Sequence, residues 1–579
     1  MAIYNHLLLE FAHDKIDQKY DFFMVTTTEK YIPFGARCLD KSSDAFQVES
    51  IAFENGKSLF LMSKAKKISR YEIVKELHSD TLSVKKVLSR DIPVYILFRL
   101  FLYSLNNYEH EELSFNNLTG KFYIFSPEWM KKNKSSFVAL GIDLDADNNL
   151  TIEAATFAKY ILFKPTPKLN EYPKYAFSNK NNSLRRVFDS QDLANVYIKK
   201  GIFNKKAEMP FLSLDKKDIE LCKCYFLYRV LGLLETKYKD LLEVALDNIP
   251  ITKTIGAPKA TDFMDKAVIE FKTRNTNFVN CVKGGEFASD FEALIESIIK
   301  KYDLTYSADT KIDKASNNIV FIHNKAYYES HEYPDPYQSF LRDSVIQCLT
   351  EEDSAERIIK DNDAIISTII KECAIKSDIL RNKRITIDDW ASFEYKKDWV
   401  FGKEKNGHLF FMIVHPDGSF EFYNKLNDLC GFDIEILDHC AEYLVRQKGK
   451  EKTIIASANG DINVISRTNL FPLPTKALFQ EEKISRSKES RESFLAGVVD
   501  INWYSLNEQN YYSVGIKGSG MNTKIIRAPH LYRVDVLSGE NIVGQLLETL
   551  SVLFVKYKSF TVLPYPIKYL NEYIEMIEE

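Results

Sequence analysis

The alternation of apolar and polar positions is clearest in the last third of the chain. Three short runs, WVFG from Trp399, LFFMIV from Leu409 and SFEFY from Ser419, have the period-two pattern of strands, and the last two are joined across His415-Pro416-Asp417-Gly418. A helix and the buried strand Thr453-Ile454-Ile455-Ala456-Ser457 follow, and the Pro-rich segment Thr561–Ile567 closes the region. Nearer the start, the run PVYILFRLFLYSL within Asp91–Leu105 is apolar on more than one side, which predicts a buried helix. Between 116 and 200 the reading is β: KFYIF, then a long alternating stretch from Phe137 that turns at Asp147-Asn148-Asn149. From about 186 to 310 it is helical, with apolar residues at Ile219, Cys222, Phe226, Val230 and Leu233 in the stretch Asp218–Ala245, and a similar stretch at Glu286–Lys301.

From Asn317 the pattern is strand (NNIVFIHN), polar aromatic loop (KAYYESHEYPDPYQSF), strand (SVIQCLT), then a helix from Asp361 to about Lys376. Strands alternating with helices predict a parallel α/β unit, whose ligands sit at the carboxyl ends of the strands. The loop after IVFIH is therefore the first place to look for a bound group. Gln347, read at the end of the second strand, offers an amide, and Lys371 and Lys376 offer ammonium charge, a combination suited to a terminal phosphate. The two lysines are five apart, ~500° of helical rotation, so they do not share a face strictly; two surface lysines are the plain alternative.

Composition adds bounds. With 579 residues, several domains are expected. The 77 basic and 81 acidic residues leave a net charge of -4, so any nucleic-acid surface must be a local basic patch. Eight cysteines form no CxxC pair and no zinc spacing, and are read as reduced. The N-terminus has no basic region before its short apolar run, and no apolar stretch approaches ~18 residues, so the expected location is cytoplasmic, without a membrane partner.

Several local signals carry little chemistry. Asp143, Asp145 and Asp147 suggest a calcium loop, but Asn148 and Ala154 stand where Gly and Glu are needed, so a hairpin turn is expected. Lys199, Lys200, Lys205 and Lys206 read as a solvated face in preference to phosphate contacts. Gly515, Gly518 and Gly520 lack the Walker A spacing, and His323, His331, His408 and His415 lack a nucleophile elbow.

A three-strand meander, a helix and a buried strand is the order of an RNase H-type nuclease core. Such a core holds two Mg²⁺ ~4 Å apart on carboxylates from its first and fourth strands. The corresponding stretches are Phe401-Gly402-Lys403-Glu404 and Ala458-Asn459-Gly460-Asp461. An ammonium beside the only acid on one strand, and an amide at the turn of the other, oppose a metal pair.

Over roughly residues 310–579 the sequence resembles the Argonaute (PIWI) family, in its long prokaryotic form. VLPYPIKYLNEY is similar to the family's closing segment, IVGQLLETLSVLFVKY resembles the helix before it, and VIQCLT with the helix ending IIKECAIKSDIL is similar to the MID strand and helix that hold a guide's 5′ end. The resemblance implies an α/β multidomain fold, with a Rossmann-like MID and an RNase H-like PIWI in the C-terminal half and an α+β N-terminal half. By that analogy 1–115 is an N-like domain, 116–200 a linker or reduced PAZ-like β module, 201–310 a helical linker, 311–395 MID and 396–579 PIWI.

Carried over, Gln347 and Lys376 are the pocket Gln and helix Lys, Lys371 is their neighbour, and Tyr327 or Tyr337 stacks on the first base. The lysine usual between the aromatic and the Gln is missing, with only Arg342 nearby. A Mg²⁺ at the guide 5′ end is compatible with the resemblance. Glu404 stands near the first acidic position, Asn459 at the third, and Ser559 or Phe560 at the last, so the resemblance implies no catalytic residues and no catalytic metal. The expected function is that of a catalytically inactive guide-binding protein of the plasmid-defence kind. It would bind a short DNA or RNA guide, pair it with complementary plasmid or phage DNA, and recruit a separate effector such as a helicase-nuclease. The alternatives are a Mg²⁺-dependent nuclease with relocated acids, Asp461 or Asp500, and a scaffold that binds only protein.

Overall fold

A computed structural model describes residues 1–577 except 29–47, 55, 57, 78–80, 108–111, 119–120, 127–134, 164–171, 179–182, 188–192, 201–208, 216–218, 256–259, 283–291, 293–294, 297, 300–301, 310, 332–342, 351–361, 387–389, 391–396, 424–433, 447–451, 481–494, 496, 499, 507, 516–524, 527, 543–546, 548–549 and 551–562. The chain forms two compact units, one of residues 1–249, 469–496 and 524–528, the other of 250–468, 497–523 and 529–579. Among the described residues no helix is long and apolar enough to cross a membrane.

In the first unit, β1 (Ala2–Phe11) and α1 (His13–Lys19) lead into an antiparallel sheet of order β3-β4-β2-β5, made of β2 (Tyr20–Thr27), β3 (Ser50–Phe53), β4 (Ser58–Lys64) and β5 (Leu82–Val87). Phe23, Val25, Leu59 and Leu61 pack there with Ile73 of α2 (Arg70–Leu77). The buried helix expected near residue 100 is α3 (Val94–Tyr103), with seven buried residues. Its single charge, Arg99, donates to Asp143 at 2.7 and 3.2 Å and to the Leu144 carbonyl at 2.7 Å, so an otherwise apolar helix is anchored by one guanidinium fork.

The β-rich region is a seven-stranded sheet of order β11-β10-β12-β9-β8-β7-β6, formed by β6 (Ser114–Leu118), β7 (Lys121–Phe125), β8 (Ser136–Leu144), β9 (Leu150–Lys159), β10 (Lys174–Ser178), β11 (Ser183–Val187) and β12 (Val196–Lys200). Its two edge strands meet, because the side chain of Asn116 in β6 accepts from the backbone of Leu184 in β11. The expected hairpin is present: Asp145 Oδ1 accepts from Asp147 N and Asn149 N, and Asn148 takes φ 60. Asp145 is thus spent on the turn and Asp143 on Arg99. Lys199 of the basic cluster donates to Tyr123 at 2.6 Å, and Lys205 and Lys206 lie outside the described residues.

The helical reading from about 186 to 310 needs correction, beginning with β12. α4 (Lys223–Lys237) ends well before Ala245, and β14 (Leu242–Ile249) pairs with β1, whose other neighbour is β25 (Pro472–Leu473). The short pair β13 (Leu212–Ser213) and β28 (Ile525–Ile526) completes the unit. In the second unit β15 (Ile251–Ile255), α5 (Ala260–Lys272), β16 (Thr276–Asn280) and β17 (Tyr306–Asp309) also fall inside this range. A strand of four or five residues is too short for its period to be told from that of a helix.

β16 and β17 join β18 (Asn317–Ile322) and β19 (Val345–Thr350) in an all-parallel sheet of order β17-β16-β18-β19. β18 is buried at all six positions, as a central parallel strand covered on both faces must be. The first part of the expected loop is a short helix, α6 (Lys325–His331); α7 (Asn362–Ser377) follows β19.

The rest of the unit is a nine-stranded sheet of order β15-β26-β27-β29-β24-β23-β20-β21-β22. Its strands are β20 (Trp399–Lys405), β21 (His408–Val414), β22 (Phe420–Tyr423), β23 (Lys452–Ser457), β24 (Ile462–Arg467), β26 (Ile501–Leu506), β27 (Gln509–Val514) and β29 (Leu531–Ser538). Period-two alternation in β20 serves two helices. Val400 faces the core shared with Cys440 and Leu444 of α8 (Ile434–Arg446), while Trp399 and Phe401 face the core shared with Ile567, Leu570 and Ile574 of α9 (Pro566–Ile577). Pro566 opens α9, where a missing N–H costs nothing. The helix is clasped by stacking of Tyr573 on Phe422 at 4.1 Å.

Candidate nucleic-acid interface

In the parallel sheet the chain leaves β16 for β17 on one side, and leaves β18 for β19 on the other. The connections therefore diverge between β16 and β18, and their carboxyl ends form the switch point at which α/β sheets bind ligands. Three rings gather there, spaced four residues apart around α6: Tyr327 stacks on His323 at 3.6 Å and on His331 at 4.2 Å. His323 is 2% exposed and its backbone N–H donates to the Tyr328 hydroxyl. The expected base-stacking residue is thus already engaged by two imidazoles. Tyr337 and Arg342 lie outside the described residues.

Gln347 and Lys376 are brought together. Lys376 Nζ donates to the Ile346 carbonyl at 2.7 Å and to Gln347 Oε1 at 3.2 Å. Gln347 is not at the end of its strand, however: it pairs with Ile319, three residues short of the Thr350–Ile322 edge, about 10 Å away along the strand. Because α7 runs back along the sheet, Lys376 in its last turn reaches the amino-terminal half of β19, whereas Tyr327 stands at the carboxyl side. Lys371 is 3% exposed and lies about 7.5 Å nearer that carboxyl side along the helix axis. The sequence-derived residues therefore span the depth of the sheet.

Just beyond α7 a π-helical turn, Asp378–Asn382, carries the buried carboxylate Asp378, which accepts from Thr386 N and Oγ1, Asn382 Nδ2 and the Tyr569 hydroxyl. Burial outweighs these bonds and pushes its carboxyl up to about 6.

In the nine-stranded sheet the strands lie in the order β22-β21-β20-β23, and β23 runs antiparallel to β20: Trp399 pairs with Ser457 and Lys403 with Thr453. Carboxylates on these strands could meet over one metal pair only at a common end of the sheet. Glu404 lies at one end, where its Oε1 accepts from Gly407 N at 2.6 Å. Asn459 lies at the other, next to Ala458, whose N–H donates to the Asp398 carbonyl, so the two are about 20 Å apart.

Asp461, the strongest relocated acid, accepts from Lys397 at 2.9 Å, Ser457 Oγ at 2.6 Å and Glu540 N at 2.9 Å. Burial would raise its carboxyl, but the Glu540 amide, the Ser457 hydroxyl and the Lys397 charge together hold it down to about 2. The Asp500 carbonyl accepts from Gly515 N, while Gly518, Gly520, Ser559 and Phe560 lie outside the described residues. Among the described residues no group of three or more His, Cys, Asp or Glu could hold a metal ion.

The sequence reading missed a cavity of about 430 Å³ beside α9, lined by Lys403, Lys405, Leu563, Pro564, Tyr565, Ile567, Lys568, Asn571, Ile574 and Glu575. Lys403 Nζ donates to Asn571 Oδ1 at 3.3 Å. The sequence signal is the continuation of the Trp399-Phe401 face of β20 by two lysines, combined with Lys568 and Asn571 three apart on α9.

The chain holds a four-stranded parallel sheet followed in sequence by a nine-stranded antiparallel one, and its fold is similar to that of a solved Argonaute. Over 98% of its length the chain is similar to the crystal structure of Kluyveromyces polysporus Argonaute with a guide RNA, with a TM-score of 0.50 and 10% identity, covering 93% of that chain. A. aeolicus Argonaute matches at a TM-score of 0.38, 10% identity and coverages of 100% and 98%, and Drosophila Piwi at 0.34, 11% identity and coverages of 100% and 96%. No family model and no curated protein matches the sequence.

Proposed function

We propose that this chain binds a short nucleic-acid guide, pairs it with complementary plasmid or phage DNA, and acts without cutting, through a recruited effector such as a helicase-nuclease. The observation that carries the reading is the Lys376–Gln347 pair inside a parallel α/β sheet, in a chain whose fold is Argonaute-like over nearly its whole length. On this reading the parallel sheet is MID and the nine-stranded sheet PIWI. Lys376 and the Gln347 amide hold a guide's terminal phosphate, with Lys371 adding charge along the same helix, and base pairing, not protein side chains, reads the target sequence.

The opposite placement of Glu404 and Asn459, and the commitment of Asp461 to Lys397, favour a non-cutting protein. Sequencing and end-group analysis of nucleic acid co-purified with the protein tests the proposal, with short guides of uniform 5′ chemistry as the expected result. Protein free of short nucleic acid and lacking salt-sensitive guide binding would sink it in favour of a protein-binding scaffold. Guide-dependent cleavage of a matched target in Mg²⁺ or Mn²⁺ would instead restore the nuclease reading.

A further inference from the structure

We propose that the outer face of α2, with the turn leading into it, binds single-stranded nucleic acid without regard to sequence, holding phosphates on Lys66, Lys67, Arg70 and Lys75 and a base on Tyr71. The whole chain is slightly acidic, yet from Lys64 to Arg90 it carries eight Lys and Arg against three Asp and Glu. β4 and β5 both pair antiparallel with β2, so they run parallel to each other and end at one edge of the sheet, where Lys64 pairs with Tyr20 and Val87 with Phe22. α2 sets out from that edge and lays Ile73 and Leu77 against the sheet. Tyr71 and Lys75, one helical turn apart, are thereby left facing solvent. All of these residues belong to the first unit, and the surface goes beyond the guide-binding reading without resting on it.

The nearby acids are engaged elsewhere. Asp21, buried at the edge, accepts from Lys66 N at 2.8 Å and pairs with Lys86 at 2.6 Å, which pins the turn, with Lys66 at φ 61, beside the end of β5. Lys64 pairs with Glu49 and Arg90 with Asp14. Glu72 closes the amino end of α2: it accepts from Ser69 N at 2.6 Å, and Ser69 Oγ accepts from Glu72 N at 3.2 Å. Lys66, Lys67, Arg70 and Lys75 are all exposed, and among the described residues none of the four side chains is in an ion pair. Tyr71 is 75% exposed between Arg70 and Lys75, with Val74 at its flank. A large ring left in water among cations suits base stacking beside phosphate contacts, the combination that holds single strands of any sequence. An acidic protein surface would match the charges but not the ring, which favours a strand.

The test is fluorescence anisotropy of a 5′-hydroxyl oligothymidylate with the full chain across a salt series, because this strand offers no terminal phosphate and no mixed sequence for pairing. The variant Lys67→Gln/Arg70→Gln/Lys75→Gln should bind it about tenfold more weakly at low salt, with a salt slope shallower by about 2 as three phosphate contacts are lost. Tyr71→Ala should weaken binding about tenfold with the slope unchanged. In the unaltered protein, lysine acylation read by mass spectrometry should show Lys66, Lys67 and Lys75 protected by the strand, a readout that keeps the test decisive should a variant misfold. Absence of that protection overturns the surface, as does unchanged affinity and slope in a folded triple variant. Protection by polyglutamate but not by the strand overturns it in favour of an acidic protein partner. Lys376→Ala, titrated with a 5′-phosphorylated guide, reports separately on the guide-binding reading: guide binding lost there while the triple variant holds oligothymidylate normally overturns this surface alone, and the converse supports it alone.

Discussion

The Tyr569 hydroxyl donates to Asp378 Oδ2 at 2.8 Å across 191 residues of chain, tying the closing helix to the turn that ends the candidate guide-binding helix. Asp378 is fully buried, and its carboxyl is raised to about 6 by that burial. A carboxyl raised in the folded state contributes stability that is complete below its unfolded value of ~3.9 and is lost as pH rises through about 6. The protein should therefore melt at a higher temperature at pH 5 than at pH 7 in this contribution, and Asp378→Asn should remove that difference. Tyr569→Phe should cost about 1 kcal/mol in denaturant titrations.

Lys376→Ala should weaken guide binding by about 1 to 3 kcal/mol, the range for a charge-assisted contact. Titration with 5′-phosphorylated and 5′-hydroxyl guides checks this. Unchanged affinity for both would remove Lys376 from the site and leave its bond to Ile346 as a helix-to-strand clamp.

Asp461 has the opposite pH sign. Its carboxyl is held down to about 2, so its contribution is present above the unfolded value and lost as pH falls toward 2. Asp461→Asn should flatten the acid limb of the stability curve. A β-carbon at Gly539, where φ is +68, would collide with the Asp461 side chain and backbone, so Gly539→Ala should lose about 1 to 3 kcal/mol by thermal denaturation.

Arg99→Ala should destabilise the first unit by about 1 to 2 kcal/mol, because it removes the charge that Asp143 faces and leaves the Leu144 carbonyl without the guanidinium at the edge of a buried helix. Urea unfolding measures the loss. A fully retained midpoint would show that water replaces the guanidinium at no cost.

Where the signal was local, the sequence could be read well. The β20-β21-β22 meander follows from alternation and the Asp417-Gly418 turn, and α3 follows from a run apolar on more than one side. The pairing of Gln347 with Lys376 was legible as chemistry without its depth in the sheet, since the strand's register against β18 depends on residues nearly thirty positions away. Tyr327 was visible as an aromatic, but its capture by His323 and His331 required α6 to form within what read as a loop.

By itself the sequence determined which segments bury one face, which bury both, and which residue types stand near each expected site, because those properties depend on side-chain chemistry and on periods of two or 3.6 residues. Tertiary structure alone decided strand direction and company. β23 lies beside β20 and antiparallel to it, which separates Glu404 from Asn459; Lys403 and Lys405 meet Lys568 only because α9 returns over β20 from more than 150 residues away. Direction and long-range contact are set by the packing of whole elements, for which no short stretch of sequence holds the pattern.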